Sequence, residues 1–552
     1  MKDIVNKLKE LEKFLLLLFP AFYLLTGAYF RTLLGDLSLR SVDPDYVYFS
    51  NGLGVAMGSF DTGNIFHPGA PLQYFTALIF RLTYILRSPE VNFLEDVFSH
   101  PDLYQSVVSF CVIGLTAMFL FVSGVLIFRI TNSILNGLLI QTTTFLPIIW
   151  YDLIGRNTQE VFLAFSVLAL SIVIIKYYSE NKFVNTRSGI FLLALIIAFG
   201  LSTKITFLPL VIIPLFIIQG LKNKFIFLFV TLLLFLSISL SILLKIEVFW
   251  GWIKNLFLHS GDYGAGDTNV VNIKVFADNL VNFIQLEAWY FKVVGILLIT
   301  VLLYGIIYRK KADHGILLYS GSLIVTISFH LAIVCKHFAH RNYIPSLLLL
   351  PLVVFFSIEI LKKVNPSKII RFFLQVLLIA FLIVTVKNQF IWLPIKSNAM
   401  GNDINARKET RNFTSTLEKG SIKIITSQSY GCPFQEYALM YSTAWSKNEM
   451  KPQYAEVLGK LYPDTYQHTT WDDRFQYWGE KFDAQKIINS GRKVYLYIER
   501  NDEELYNRTL IKIQKESETG FTAERELLFL NAVNNEVIYQ LKLSKAEKIQ
   551  NL

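Results

Sequence analysis

The stretch Ser41–Tyr74, SVDPDYVYFSNGLGVAMGSFDTGNIFHPGAPLQY, sits between two runs apolar enough to cross a bilayer, near 14–34 and 105–128. It gathers Asp43, Asp45, Asp61 and His67, with prolines at 44, 68 and 71 and a scatter of glycines. A plain connector between two spans has no need of that density of polar chemistry. Reading it decides whether the apolar runs form an inert anchor or a scaffold for a site.

The composition points to a membrane. The chain has 552 residues, 53% hydrophobic and only 17% charged, where a soluble protein carries about 25% charge; the mean hydropathy is +0.44. Its 46 Phe and 27 Tyr suit lipid-facing and interfacial positions. The net charge of +10 does not point to nucleic acid. From Pro394 onward there are 22 basic and 21 acidic residues, against 30 and 21 before it. The excess therefore belongs to the apolar part, where a positive-inside bias accounts for it. No basic stripe interleaved with aromatics stands out, and nucleic-acid binding is excluded on that ground. Cys111, Cys335 and Cys432 form no close pair, which argues against a disulfide framework or a zinc site. The basic start and the apolar run Phe14–Ala28 read as an uncleaved first span rather than a signal peptide.

Crossing the hydrocarbon takes about 20 residues per helix. Runs near 14–34, 105–128, 133–151, 159–176, 189–203, 205–219, 225–248, 289–308, 315–335, 342–361 and 370–392 predict about eleven spans, the pair at 189–219 meeting in a tight turn at Gly200–Lys204. With Lys2, Lys7, Lys9 and Lys13 inside, the charges at Arg129, Lys176/Lys182/Arg187, Lys222/Lys224, Arg309/Lys310/Lys311 and Lys362/Lys363/Lys368 all fall on that same side, as the positive-inside rule asks. Loop 35–104, loop 249–288 with its turn HSGDYGAGDTN, and everything past 393 then lie outside. The expected fold is an α-helical polytopic membrane domain, residues 1–393, followed by an extracytoplasmic mixed α/β domain, residues 394–552. In the latter, strand-like runs at Ile422–Thr426 and Lys493–Ile498 flank a helix-like run at Glu436–Trp445.

Ionisable groups at span ends are costly unless they line a cavity or serve chemistry, and four clusters stand there. Asp43-Pro44-Asp45 offers a general base toward a held hydroxyl; Asp and Pro are also routine turn residues. His67, ahead of Pro68-Gly69-Ala70-Pro71, has the chemistry to contact a phosphate, ligate a metal, or simply sit at the interface. In YDLIGRNTQE, Asp152 and Arg156 precede Glu160; Arg156 suits a phosphate, and Glu160 opens a span, where it also favours the helix dipole. Lys336-His337 and His340-Arg341-Asn342-Tyr343 form a basic group on the outer side, joined by Lys204. An anionic lipid head group would give these cations a purpose, and snorkelling is the plain alternative.

In this order and topology the motifs resemble the GT-C superfamily of integral-membrane glycosyltransferases, in layout similar to protein O-mannosyltransferases and lipid A aminoarabinose transferases. The residues that carry the resemblance are Asp43 and Asp45 after the first span, His67-Pro68 later in that loop, and Arg156 with Glu160 opening an early helix. Gly200-Leu201-Ser202-Thr203-Lys204 closes a span, and Arg341-Asn342-Tyr343-Ile344-Pro345 starts a late one. The likeness covers the membrane part. The Asp-Pro-Asp spacing, HPGAP and the short step from Arg156 to Glu160 depart from the familiar pattern, so Asp43 and Asp45 both stand as base. The resemblance implies inverting transfer of one sugar from a polyprenyl-phosphate donor to an acceptor hydroxyl on a glycan, lipid or protein at the outer membrane face. Asp43 or Asp45 would be the base; Lys204, His340 and Arg341 would contact phosphate, with His67, Asp152, Arg156, Glu160 and Tyr343 lining the substrate site. A divalent metal is used by some such enzymes and not by others. The expected setting is a bacterial cytoplasmic membrane with the N-terminus inside. The rival classes are a lipid-linked glycan polymerase or ligase, and a flippase or transporter. A transporter predicts interrupted helices in corresponding halves, and no such symmetry is visible.

Overall fold

The computed structural model describes residues 13–63, 65–180, 182, 184–259, 268–308, 313–428, 431–517 and 520–545. Lys2, Lys7, Lys9, Arg309, Lys310 and Lys311 of the expected inner charges, and residues 260–267 of the Gly/Asp-rich turn, lie outside them. Among the described residues eight helices are long and apolar enough to cross a membrane: Leu15–Leu34, Pro101–Thr131, Glu160–Ser179, Leu221–Ile238, Ala288–Tyr308, His314–Lys336, His340–Val364 and Lys368–Thr414. Arg187–Thr203 and Ile205–Ile217 are shorter apolar helices. The chain is a multi-span membrane protein.

Three of the expected runs fold differently. The run 133–151 is a short helix, Ile134–Gln141, followed by 3-10 turns at Thr142–Thr144 and Ile148–Asp152. Pro147, between those turns, has no N–H to continue a helix. The Thr142 and Thr143 hydroxyls bond back to the Leu139 and Ile140 carbonyls at 2.6 and 2.7 Å, competing with the helical ladder. In the run 205–219, Ile205–Val211 is 3-10 around Pro209 and only Ile212–Ile217 is α-helical. In the run 225–248, the helix ends at Ile238 and a short helix, Leu240–Leu244, follows Ser239. Loop 35–104, conversely, is largely helical, with Asp45–Ala56, Ala70–Arg87 and Phe93–Ser99.

The chain forms two compact units. The first comprises Met1–Tyr29, Ile65–Leu72 and Phe110–Pro394. Its centre is the helix Glu160–Ser179, which packs on Arg187–Thr203; that helix packs in turn on Leu221–Ile238. Thr186 caps Arg187–Thr203 by accepting from the Gly189 N–H at 3.2 Å. At its far end a Cβ on Gly200 would stand 2.4 Å from the Phe207 ring, so only glycine lets the chain reverse there. Gln141 is buried in this unit, its amide donating to the Leu16 and Leu120 carbonyls at 2.8 and 3.1 Å; Gly124 leaves the room its side chain needs. Phe225, Phe229, Leu232, Ile299, Leu302 and Ile306 are exposed, a surface matched to acyl chains and not to water.

The second unit comprises Phe30–Asn64, Gln73–Ser109 and Ile395–Leu552. Its six-stranded sheet is built from β1 (Ile422–Ser427), β2 (Thr465–Thr469), β3 (Arg474–Tyr477), β4 (Val494–Ile498), β5 (Phe521–Leu530) and β6 (Val537–Lys545), in the order β3-β2-β1-β4-β6-β5. β1 lies parallel to both β2 and β4, and the remaining pairings are antiparallel. Ile422, Ile424, Leu496, Ile498 and Val537 feed its core. The expected strands at 422–426 and 493–498 and the helix near 436–445 are present, the last as Gln435–Ala444. The helix Lys368–Thr414 carries Pro394 in its interior. Within the second unit, Thr410 donates to Glu536 at 2.5 Å and the Asn531 amide donates to the Ala406 carbonyl at 2.8 Å, tying residues 395–414 to the sheet.

Candidate active site

In the first unit a single ion pair organises the polar residues. Glu160 is the first residue of its helix, where the unpaired N–H groups favour a carboxylate. Lys204 directly follows the helix Arg187–Thr203. Because these two helices pack together, the Lys204 Nζ reaches the Glu160 Oε1 at 2.8 Å, with the two side chains 1% and 3% exposed. Removing both charges from water costs several kcal/mol per ion, and such pairs in membrane domains mark functional sites.

Two further segments close on this pair. The Gly69 N–H donates to the Thr203 carbonyl at 3.1 Å, fastening the His67-Pro68-Gly69 turn beside Lys204. Gly69 has φ +58°, a left-handed conformation that glycine adopts without strain. The His67 ring meets the Trp252 indole edge-on at 5.7 Å and lies in the fields of Lys204, Glu160 and Arg341. Arg341, on the 3-10 turn His340–Tyr343, is exposed and acts electrostatically on both Glu160 and Lys204. Four residues singled out from distant parts of the sequence, His67, Glu160, Lys204 and Arg341, therefore share one locality. Among the described residues there, Lys204 and Arg341 supply cations and Glu160 a carboxylate.

Other sequence candidates in this unit have different surroundings. The Arg156 Nη1 approaches the Asp152 carbonyl at 3.4 Å, across a turn in which Gly155 has φ +79°. The His340 Nε2 meets the Glu287 Oε1 at 2.6 Å. Tyr343 is fully buried: its hydroxyl donates to the Ile327 carbonyl at 3.2 Å and its ring packs 4.9 Å from those of Phe283 and His330. That geometry anchors the turn bearing Arg341. Lys336 donates to the Leu256 and Phe257 carbonyls at 2.6 and 2.7 Å. His337 also contacts the Leu256 carbonyl, at 2.9 Å. Both thus satisfy the end of the helix Ile246–Leu258, where cations are favoured.

In the second unit the Asp-Pro-Asp motif starts the helix Asp45–Ala56, with a cis Asp43–Pro44 peptide. Asp43 is exposed, while Asp45 is fully buried in the first turn of that helix. Arg31 donates to the Gly35 carbonyl and to the Ser106 Oγ, the latter at 3.1 Å, and faces the charges of Asp45, Asp102 and Asp36. Sequence reasoning passed over Asp36. It accepts from the Ser38 N–H at 2.8 Å and the Tyr46 hydroxyl at 3.0 Å, and pairs with Arg411 at 2.7 Å. Burial works to raise the Asp36 carboxyl; the Arg411 charge, a hydrogen bond shared with the Asp102 carboxyl and the Ser38 donors outweigh it, holding the group below its ordinary value. Glu287 was passed over as well. Each was visible only as an isolated acid at a span end. Among the described residues no three His, Cys, Asp or Glu side chains gather as a metal site, and no step is assigned to a metal ion.

No protein-family model matches the sequence, and no curated protein matches it. Among solved structures, ArnT from Cupriavidus metallidurans, crystallised bound to undecaprenyl phosphate, is similar over 95% of this chain and 97% of that one, with a TM-score of 0.50 and 10% identity. The apo crystal structure of ArnT matches 94% of this chain and 98% of its own, at a TM-score of 0.47 and 11% identity. At this identity the likeness shows the fold: the chain folds as that ArnT does along nearly its whole length, the architecture expected from the resemblance.

Proposed function

We propose that the protein transfers a sugar from a polyprenyl-phosphate donor to an acceptor hydroxyl at the outer face of the membrane, with inversion. The observation that carries this reading is the convergence of His67, Glu160, Lys204 and Arg341 on one buried ion pair, in a fold shared with a protein crystallised on undecaprenyl phosphate. Lys204 and Arg341 hold the donor phosphate and take up the charge that grows on it as the bond to the anomeric carbon breaks. Glu160 keeps the Lys204 ammonium aimed, and His67 supports the phosphate from the adjoining turn. His340, Arg156, Asp152 and Tyr343 shape the surroundings.

The acceptor oxygen forms its bond to the anomeric carbon as the carbon–phosphate oxygen bond opens, and polyprenyl phosphate departs with the bonding electrons. The hydroxyl proton goes to an aspartate. Asp43, exposed, is the first choice for this base; Asp45, buried beside the helix N-terminus, is the second and otherwise positions the motif. The acceptor is a glycan, lipid or protein. The N-terminus lies in the cytoplasm and residues 394–552 form an extracytoplasmic domain, in a bacterial cytoplasmic membrane.

The test is a donor screen. Purified protein is supplied with a panel of polyprenyl-phosphate sugars and the released polyprenyl phosphate is detected. Asp43→Asn and Asp45→Asn should both fold and insert, and at least one should lose about 10²–10⁴ in rate. Full activity in both variants would remove the motif from catalysis, and no release from any donor would sink the reading.

A further inference from the structure

The carboxyl ends of β1, β2 and β4 form a second place where this chain can hold a ligand. β1 lies parallel to both neighbours, β2 on one side and β4 on the other. The chain leaving β1 thus turns one way, and the chain entering β4 arrives from the other. Open α/β sheets bind ligands in the crevice that such a reversal creates, outside the strand carboxyl ends. Here that crevice is a cavity of about 180 Å³, lined by residues just past each strand: Gln428 after β1, Thr470 after β2, and Glu499 and Arg500 after β4. The first turns of the helix Glu503–Glu516 complete it.

Two observations show that the crevice is built for polar recognition. Thr470 is only 6% exposed, and among the described residues its Oγ1 has no hydrogen-bond partner. Burying a hydroxyl unsatisfied is costly, and a ligand oxygen would recover that cost. Glu499, in contrast, is fixed: its Oε2 accepts from the Ser427 Oγ and the Gln428 N–H, both at 2.8 Å. Asp502 is taken up in capping the helix, accepting from the Glu504 N–H at 2.9 Å.

The charges choose the ligand class. Glu499, Asp502 and Glu504 line it against Arg500 and Arg508, the last already paired with Asp473 at 3.3 Å, an excess of carboxylates that disfavours a phosphate. Carboxylates, guanidinium groups, an amide and a hydroxyl alternate acceptors with donors, the complement of a neutral ligand rich in hydroxyls. The volume falls below the ~300–1,000 Å³ of pockets for larger organic ligands, and suits one sugar ring. We propose that this crevice is a saccharide-binding site of the second unit, separate from the Lys204 cluster. The assignment stands on the crevice alone and does not require the transfer reading.

The test uses the full chain in a non-glycosidic detergent. Methyl glycosides of glucose, mannose, galactose, N-acetylglucosamine and arabinose are titrated by saturation-transfer NMR, with inorganic phosphate as competitor. At least one glycoside should saturate in the millimolar range, and phosphate should not displace it. Thr470→Val, which removes no bond to a described residue, and Arg500→Ala, at an exposed position, should each weaken binding about fivefold or more. The Glu160→Gln/Lys204→Met double variant should bind as wild type does. Four outcomes would overturn the proposal: no saturable glycoside, unchanged binding in both crevice variants, displacement by phosphate, or loss of binding only in the double variant. The last would move the sugar to the transfer site.

Discussion

Replacing Lys204 with methionine removes a charge while keeping most of the side-chain volume, and its cost follows from the structure. At 2.8 Å and an effective dielectric of about 20, the attraction to Glu160 is about 6 kcal/mol, much of which offsets the desolvation of the two groups. Removing one partner leaves Glu160 buried and uncompensated, a loss of about 3–5 kcal/mol. Adding Glu160→Gln removes the stranded charge and should return stability to the wild-type level or above. Turnover should behave differently, because both variants lack the ammonium proposed to meet the donor phosphate. Denaturant unfolding of the purified protein in detergent reads the first quantity, and release of polyprenyl phosphate reads the second. If the double variant regained both stability and turnover, the pair would be a packing element only. If Lys204→Met alone left both unchanged, the argument from burial would fail.

Acid should expose the Asp36–Arg411 pair. A carboxyl held below its unfolded value of about 3.9 contributes stability that is complete above that pH and is lost as pH falls through the folded value. Unfolding measured from about pH 5 downward should show this loss in wild type and a shallower one in Asp36→Asn; equal slopes would refute the pairing. Topology is testable with a membrane-impermeant maleimide. Cys432 is fully buried, and burial pushes its thiol well up, so the native protein should label slowly. Asn489→Cys, at an exposed position, should label rapidly from outside; labelling only after permeabilisation would invert the orientation.

The long spans were legible because an unbroken apolar run of their length has few other uses. Where the runs misled, a local feature outweighed hydropathy: Pro147 and the back-bonding Thr142 and Thr143 in one case, Pro209 in another. In loop 35–104 the prolines after His67 pointed to the helix found at Ala70–Arg87, whereas Asp45–Ala56 was hidden because it is buried on nearly every side, leaving no amphipathic period to read. Among the site residues, Glu160 and Lys204 stood out as charges at span ends, yet nothing in their separation by 44 positions announced a contact. Asp36 was harder, since its partner Arg411 stands far along the chain in a polar segment where one arginine resembles another. Glu287 carried no motif, and only its 2.6 Å approach to His340 distinguishes it.

The Glu160–Lys204 pair also bears on how the chain enters a bilayer. Glu160 opens one helix and Lys204 follows the next, so an antiparallel hairpin brings the two charges to the same level. Delivered singly, each helix would take an unmatched ion toward the acyl phase, at a cost of up to about 2.5–3.5 kcal/mol near its centre. Delivered together, residues 160–204 carry no net charge at that level. The hairpin, not the single span, is the natural quantum of insertion for this part of the protein, and a substitution at either end is expected to weaken its insertion.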